Sequence, residues 1–178
     1  EEGGFDVLAG RSGSGALAGL AGNRLQSLLD ELALLSANYD YVIIDLGAGL
    51  ESTVRRLAYA ADQIIVVVTD EPTSLTDGYA FIKVTHNERP DTTIKVVTNV
   101  VNSTTEGERT YNTLNKACQG FLKFSPEHLG IIRRDPKVPA AIRAQAPLLN
   151  RDPDSVAAED VKQIARIIRR EHAGEIQD

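Results

Sequence analysis

Leucines at positions 25, 28, 29, 32 and 35 recur every three to four residues, which predicts an amphipathic helix over residues 23–36. Beyond it, two kinds of segment alternate. Short β-branched and aliphatic runs at 41–45, 63–69, 93–99 and 129–132 read as strands, with a further short one at Phe5–Ala9. The run Gln63-Ile64-Ile65-Val66-Val67-Val68-Thr69 is continuous enough to predict a strand covered on both faces. Helical patterns fill the gaps, over 53–61, up to about residue 87, and over 106–122, 139–145 and 156–171. Ser52, then Ser74 or Thr76, then Asp154 or Ser155 supply the oxygens that cap helix starts. No hairpin signal and no internal repeat breaks the alternation. The expected fold class is α/β: an open, mainly parallel sheet with helices on both faces and polar residues collected at one edge.

Bulk properties narrow the field. The 178 residues make one domain's worth of chain, read as a single α/β domain over 1–178. A net charge of −6 argues against a general nucleic-acid binder. One cysteine, Cys118, leaves no internal disulfide and suits a reducing, cytoplasmic setting. No apolar run approaches the roughly 20 residues of a membrane-spanning helix. The chain opens at Glu1 and contains no methionine, so it is expected to be the C-terminal part of a larger protein.

The richest stretch is Tyr39-Asp40-Tyr41-Val42-Ile43-Ile44-Asp45-Leu46-Gly47-Ala48-Gly49. A buried strand ending on Asp45 would deliver a carboxylate to the sheet's carboxyl edge, beside the bare backbone of Gly47 and Gly49, where a phosphate or its metal can approach. An ordinary strand ending in Asp, then Gly, reads equally well. Gly10-Arg11-Ser12-Gly13-Ser14-Gly15-Ala16-Leu17 has phosphate-loop spacing but lacks the Lys-Ser/Thr pair that reaches the terminal phosphates, and so reads as a flexible turn. The carboxylates of Asp70-Glu71-Pro72-Thr73-Ser74 could line a cleft, meet a second subunit or start a helix. Asn99, closing a strand, offers the donor and acceptor that suit a purine edge, and asparagine also starts turns. Arg133-Arg134-Asp135-Pro136-Lys137-Val138-Pro139 could wrap a base or ribose, or form an exposed charged connection. The three histidines lack ligand spacing. The Val161, Ile164, Ala165, Ile168 stripe suits a core-packing final helix, with Glu159, Asp160 and Glu171 flanking it, better than a membrane-surface helix.

Together, Val42–Gly49, Val68–Asp77, Val96–Asn99 and Arg133–Arg143 resemble the MinD/ParA superfamily of deviant-Walker ATPases, a P-loop NTPase group. The segment Asp70-Glu71-Pro72-Thr73-Ser74-Leu75-Thr76-Asp77 is similar to the FlhG/FleN branch, which regulates flagellar number and placement. The resemblance runs from about Phe5 to Ile168. It implies ATP or ADP with Mg2+ as ligands. Asp45 would take the Walker B role of ordering the metal and its waters, with Gly47 and Gly49 in switch II. Asn99 would face the adenine, and the 133–139 loop, with Arg133 and Asp135, would cover base and ribose. It further implies an ATP-dependent homodimer, peripheral membrane attachment through a C-terminal amphipathic helix, and flagellar assembly proteins as partners. The family's Lys-Gly-Gly-x-Gly-Lys-[Ser/Thr] loop, its strand and the switch I aspartate do not occur here, and are expected upstream of Glu1. The 178 residues alone are therefore expected to bind ATP poorly and to hydrolyse none. Alternatives are a non-catalytic interaction module of the same fold, or a partitioning or septum-positioning switch.

Overall fold

The computed structural model describes residues 4–8 and 22–175, and the turn expected at Gly10–Leu17 lies outside them. The chain divides between Ala61 and Asp62 into two compact units.

The first unit holds helix α1 (Gly22–Ser36) and helix α2 (Ser52–Ala58). The leucine stripe forms α1 as expected, with Leu25 buried. Tyr39 donates its hydroxyl to Asp6 at 2.7 Å, and Arg56 on α2 donates to Gln26 on α1 at 3.2 Å. Three expectations fail here. Ser52 is the first residue of α2 and Glu51 precedes it as cap, without a side-chain capping bond. Residues 5–8 form no strand, and neither do residues 41–45. Ile43 is 91% exposed. A β-branched run becomes a strand only where neighbouring backbone satisfies its amides and carbonyls, and no ladder forms among this unit's described residues.

The second unit carries strands β1 (Gln63–Val68), β2 (Thr93–Val101) and β3 (Glu127–Arg133), all parallel, in the order β1-β2-β3. Helix α3 (Pro72–Glu88) connects the first pair. Helix α4 (Thr104–Ala117), continued by a π turn over Cys118–Leu122, connects the second. The chain ends in α5 (Lys137–Arg143), the short α6 (Leu148–Arg151), and α7 (Val156–Glu175). The helical pattern over 106–122 is thus α-helical only to Ala117, and α6 was not anticipated.

Successive strand residues face opposite sides. Val66 and Val68 lie under α3, so close that a Cβ on Gly78 would stand 2.6 Å from Val68 Cγ1. Ile131 packs on α4, whereas the preceding Gly130 lies under Ile164 of α7, where a Cβ would stand 2.6 Å from Ile164 Cγ1. Helices α3 and α4 therefore share one face and α7 takes the other. Cover is complete on β2, where Ile94, Lys95, Val96, Val97 and Thr98 are all buried. It is not complete on β1: Ile64, Val66 and Val68 are buried, but Ile65 and Val67 are 40% and 55% exposed. Among the described residues the two-sided cover expected for β1 is therefore not seen; α7 packs on β3, with Glu171 reaching Lys95 of β2. The expected α3 caps fail too. Glu71 is the cap and Pro72 opens the helix, its missing N–H costing nothing at that position. Ser74 lies inside α3 and accepts from the Thr69 amide at 3.0 Å, closing the loop back onto β1. At α7, Ser155 accepts from the Ala158 amide at 3.3 Å, the capping expected of it.

Candidate functional site

Parallel strands place all their carboxyl ends on one rim, where open α/β sheets bind ligands. In the second unit that rim gathers the turn after β1, the end of β2 and the turn after β3.

Asn99 and Val100 form the centre of the rim. Val100 has φ +60°, a left-handed conformation that a β-branched residue adopts only under constraint. It coincides with a break in the β2–β3 register between Asn99 and Val101. Asn99 Oδ1 holds the kink by accepting from the Val100 amide at 2.8 Å. Its amide NH2 has no partner among the described residues, so it is available to an acceptor on a ligand. The Arg134 amide donates to Val101 O at 2.7 Å, drawing the third turn against the second. At the start of α4, Ser103 caps the Glu106 amide, and Glu106 accepts from the Asn102 amide at 2.7 Å. That bond, first among its causes, holds the Glu106 carboxyl below the usual carboxylate range.

The two candidate side chains after β3 are already engaged. The Arg133 guanidinium grips Asp160 of α7, with Nη2 to Oδ1 at 2.6 Å and Nε to Oδ2 at 2.9 Å. Asp135 is buried and accepts from the amides of Lys137 at 2.8 Å and Ala157 at 3.1 Å. Those amide bonds, led by Lys137, hold its carboxyl below the usual range. Arg133, Asp135 and Asn99 therefore share one rim; Arg133 is ion-paired and Asp135 takes two amides, whereas the Asn99 NH2 is unengaged among the described residues. The adjacent Arg134, not singled out from the sequence, is exposed.

In the first unit Asp45 is exposed and has no hydrogen-bond or ion-pair partner among the described residues. It is a hard oxygen donor of the kind Mg2+ takes. Gly47 stands in open space. Gly49 has φ +141°, and a Cβ there would fall 2.1 Å from the Glu51 carboxylate, so the position requires glycine.

Sequence reading missed Asp160 and Lys95 because both interrupt apolar patterns. Asp160 lies three residues after the buried Ala157 and four before Ile164, a spacing that places it on the packed stripe of α7 rather than on a solvated flank. Lys95, between Ile94 and Val96, is bridged to Glu127 at 3.0 Å and to Glu171. Burial works against the Lys95 charge, but the two glutamates outweigh it and raise its pKa. Burial pushes the Cys118 thiol up to about 11, so it is no nucleophile at neutral pH.

The parallel three-layer sheet and its polar carboxyl rim define a MinD-like α/β fold of the P-loop NTPase class. Solved structures agree: MinD of Aquifex aeolicus superposes with a TM-score of 0.63 at 23% identity, covering 83% of this chain and 60% of that one. MinD of Pyrococcus horikoshii, solved with Mg-ADP, gives 0.65 at 20% identity, covering 81% and 56%. The chain belongs to the family described as cellulose biosynthesis protein BcsQ, whose model matches residues 12–168, and stands on the FlhG/FleN branch of the MinD/ParA superfamily. It is 30% identical over 164 residues to the antiactivator FleN of Pseudomonas aeruginosa, covering 92% of this chain and 59% of FleN. It is 29% identical over 169 residues to the flagellum site-determining protein YlxH of Helicobacter pylori, covering 94% and 56%. The chain thus spans less than two thirds of the length of these relatives.

Proposed function

We propose that this chain is part of a nucleotide-dependent switch of the MinD/FlhG type that sets flagellar number or placement. The observation that carries the reading is the rim at Asn99. A strained Val100, an asparagine with a free amide and a neighbouring turn tied to Val101 O make a fixed polar edge at the carboxyl end of a parallel sheet. The nucleotide is ATP or ADP with Mg2+. Asn99 offers its NH2 to the adenine, and the 133–139 loop lies over base and ribose. By kinship to the MinD/ParA superfamily, Asp45, followed in sequence by Gly47 and Gly49, is the candidate for ordering the metal's water shell. The bound metal and triphosphate supply the charge that a switch loop can sense, and the chain's own residues orient them. The reading extends to an ATP-dependent homodimer acting on flagellar assembly proteins in the cytoplasm; the similarity to FleN and YlxH supports its flagellar part. Among the described residues no helix is long and apolar enough to cross a membrane. Of the α7 stripe, Ile164 packs on Gly130 of β3, Val161 and Ile168 are half-buried and Ala165 is exposed.

The test uses the full-length gene product. Mg-ATP binding by titration calorimetry should be about 3- to 10-fold weaker in Asn99→Ala, the loss of about one good hydrogen bond to a ligand. In Asp45→Ala binding should lose its dependence on Mg2+. Wild-type protein that binds no Mg-ATP would refute the reading. The match to the BcsQ family favours a second output, cellulose biosynthesis. Deletion of the gene, followed by counting flagella and measuring cellulose in the same cells, separates the two.

A further inference from the structure

The two arginines that open the turn after β3 differ in every structural respect. Arg133 is paired with one carboxylate: Asp160 accepts from its backbone amide at 2.9 Å, from Nε at 2.9 and 3.2 Å, and from Nη2 at 2.6 Å. Asp160 comes from the second turn of α7, 27 residues away, and is only 7% exposed. The next turn of the loop is tied to the same helix, because Asp135 accepts from the Ala157 amide. Two acids thus fix residues 133–137 to the start of α7. Arg134 has its amide on Val101 O, while its side chain is exposed and carries no hydrogen bond or ion pair among the described residues.

We propose that Asp160 is a positioning residue for the base-covering loop: by occupying Arg133 it leaves Arg134 as the cation offered to the base of a bound purine nucleotide. This deepens the nucleotide reading above and rests on it. A buried carboxylate that takes four bonds from one residue sets both that residue's backbone and its side chain, so the direction of the following residue is set with it. The guanidinium of Arg134 then stacks on the base as a planar cation, a role lysine fills poorly. The clasp also joins α7 mechanically to the loop, so base occupancy and α7 position are coupled through Asp160 and Asp135.

The experiment titrates full-length protein with Mg-ATP and, as a probe lacking base and ribose, with Mg-tripolyphosphate, and records thermal midpoints alongside. Arg134→Ala should weaken ATP by about tenfold, the scale of a desolvated cation–π contact, with tripolyphosphate affinity and thermal midpoint unchanged. Asp160→Asn should show the same ATP-selective loss, and Arg133→Lys, which keeps the charge but not the fork, a smaller one. Should Asp160→Asn fail to fold, Arg134→Ala and Arg133→Lys decide the matter. Equal loss of both ligands, or ATP affinity unchanged in Arg134→Ala, overturns this assignment while leaving the nucleotide reading intact. Wild-type protein that binds neither ligand overturns both.

Discussion

Val100 concentrates the site's strain in one backbone torsion. An L-residue in the left-handed region costs about 1–2 kcal/mol, and Val100 holds φ +60° where the sheet register breaks. Glycine removes that cost but gives back about 0.5–1 kcal/mol through the freedom of the unfolded chain. Because Val100 is partly exposed, little packing is lost. Val100→Gly is therefore expected to be neutral to about 1 kcal/mol stabilising in urea unfolding, while nucleotide affinity falls as the rim loosens. Loss of more than 1 kcal/mol would show that the torsion is not strained. This residue also marks where sequence reading stopped. Asn99 was legible as a polar side chain closing a β-branched run, and Asp45, Gly47 and Gly49 were legible as an acid followed by glycines. The left-handed turn was not, because valine is among the last residues from which such a torsion would be read. Arg133 and Asp135 were legible as members of a rim loop. Their engagement with α7 was not, because it depends on partners more than 20 residues away.

At the level of elements, α7 is held at both ends by charges that enter the packed layer. Near its start, Asp160 and the Ala157 amide meet the turn after β3. Near its end, Glu171 meets Lys95 from β2, whose side chain is 5% exposed, with Glu127 of β3 on the same ammonium. Glu171 Oε2 already lacks a partner, so the lysine is what compensates this carboxylate. Removing one partner of a buried pair costs about 3–5 kcal/mol, and the partial exposure of both glutamates reduces that. Lys95→Met should lower stability by about 2–3 kcal/mol in chemical unfolding. Lys95→Met with Glu171→Leu should recover about half of it, since no buried charge is then left alone. Additive losses would show that the pair does not act as a unit. The alternation of strand and helix was plain in the sequence wherever a segment found its neighbours: β1, β2, β3, α1, α3 and α7 all occur close to their expected bounds. The run 41–45 has as strong a β pattern as β1, yet it forms no ladder. Pattern reports what a segment can bury, whereas a strand also needs an adjacent backbone.

Across the molecule, these buried groups fix the pH range of stability. His128 stacks on Tyr111 at 4.3 Å and lies 3.3 Å from Thr98, and burial, opposed by a backbone contact with Gly130 and by nearby Glu108, lowers its pKa from the usual 6.5. A lowered imidazole pKa means that the unfolded chain takes up the proton first. The folded state is therefore at full strength above pH 6.5 and weakens as pH falls below it. Asp135 adds a second acid limb. Its carboxyl is lowered from 3.8, so its contribution is whole above that value and is lost as the pH falls further. At the alkaline side the sign reverses. Cys118 is raised from 9.0 to about 11, so the unfolded chain loses that proton first and stability declines from pH 9.0 upward. Lys95, raised from 10.5, follows in the same direction. Thermal midpoints should accordingly form a plateau between about pH 6.5 and 9, with a shoulder on the acid side before the steep fall near pH 4. His128→Gln should erase the shoulder and leave the fall below pH 4 in place, and Cys118→Ala should extend the alkaline end of the plateau toward the Lys95 range. A wild-type midpoint that rises from pH 6.5 to 5 would contradict this account, because it would require His128 to prefer its charged form where Tyr111 and the α4 layer leave that charge poorly solvated.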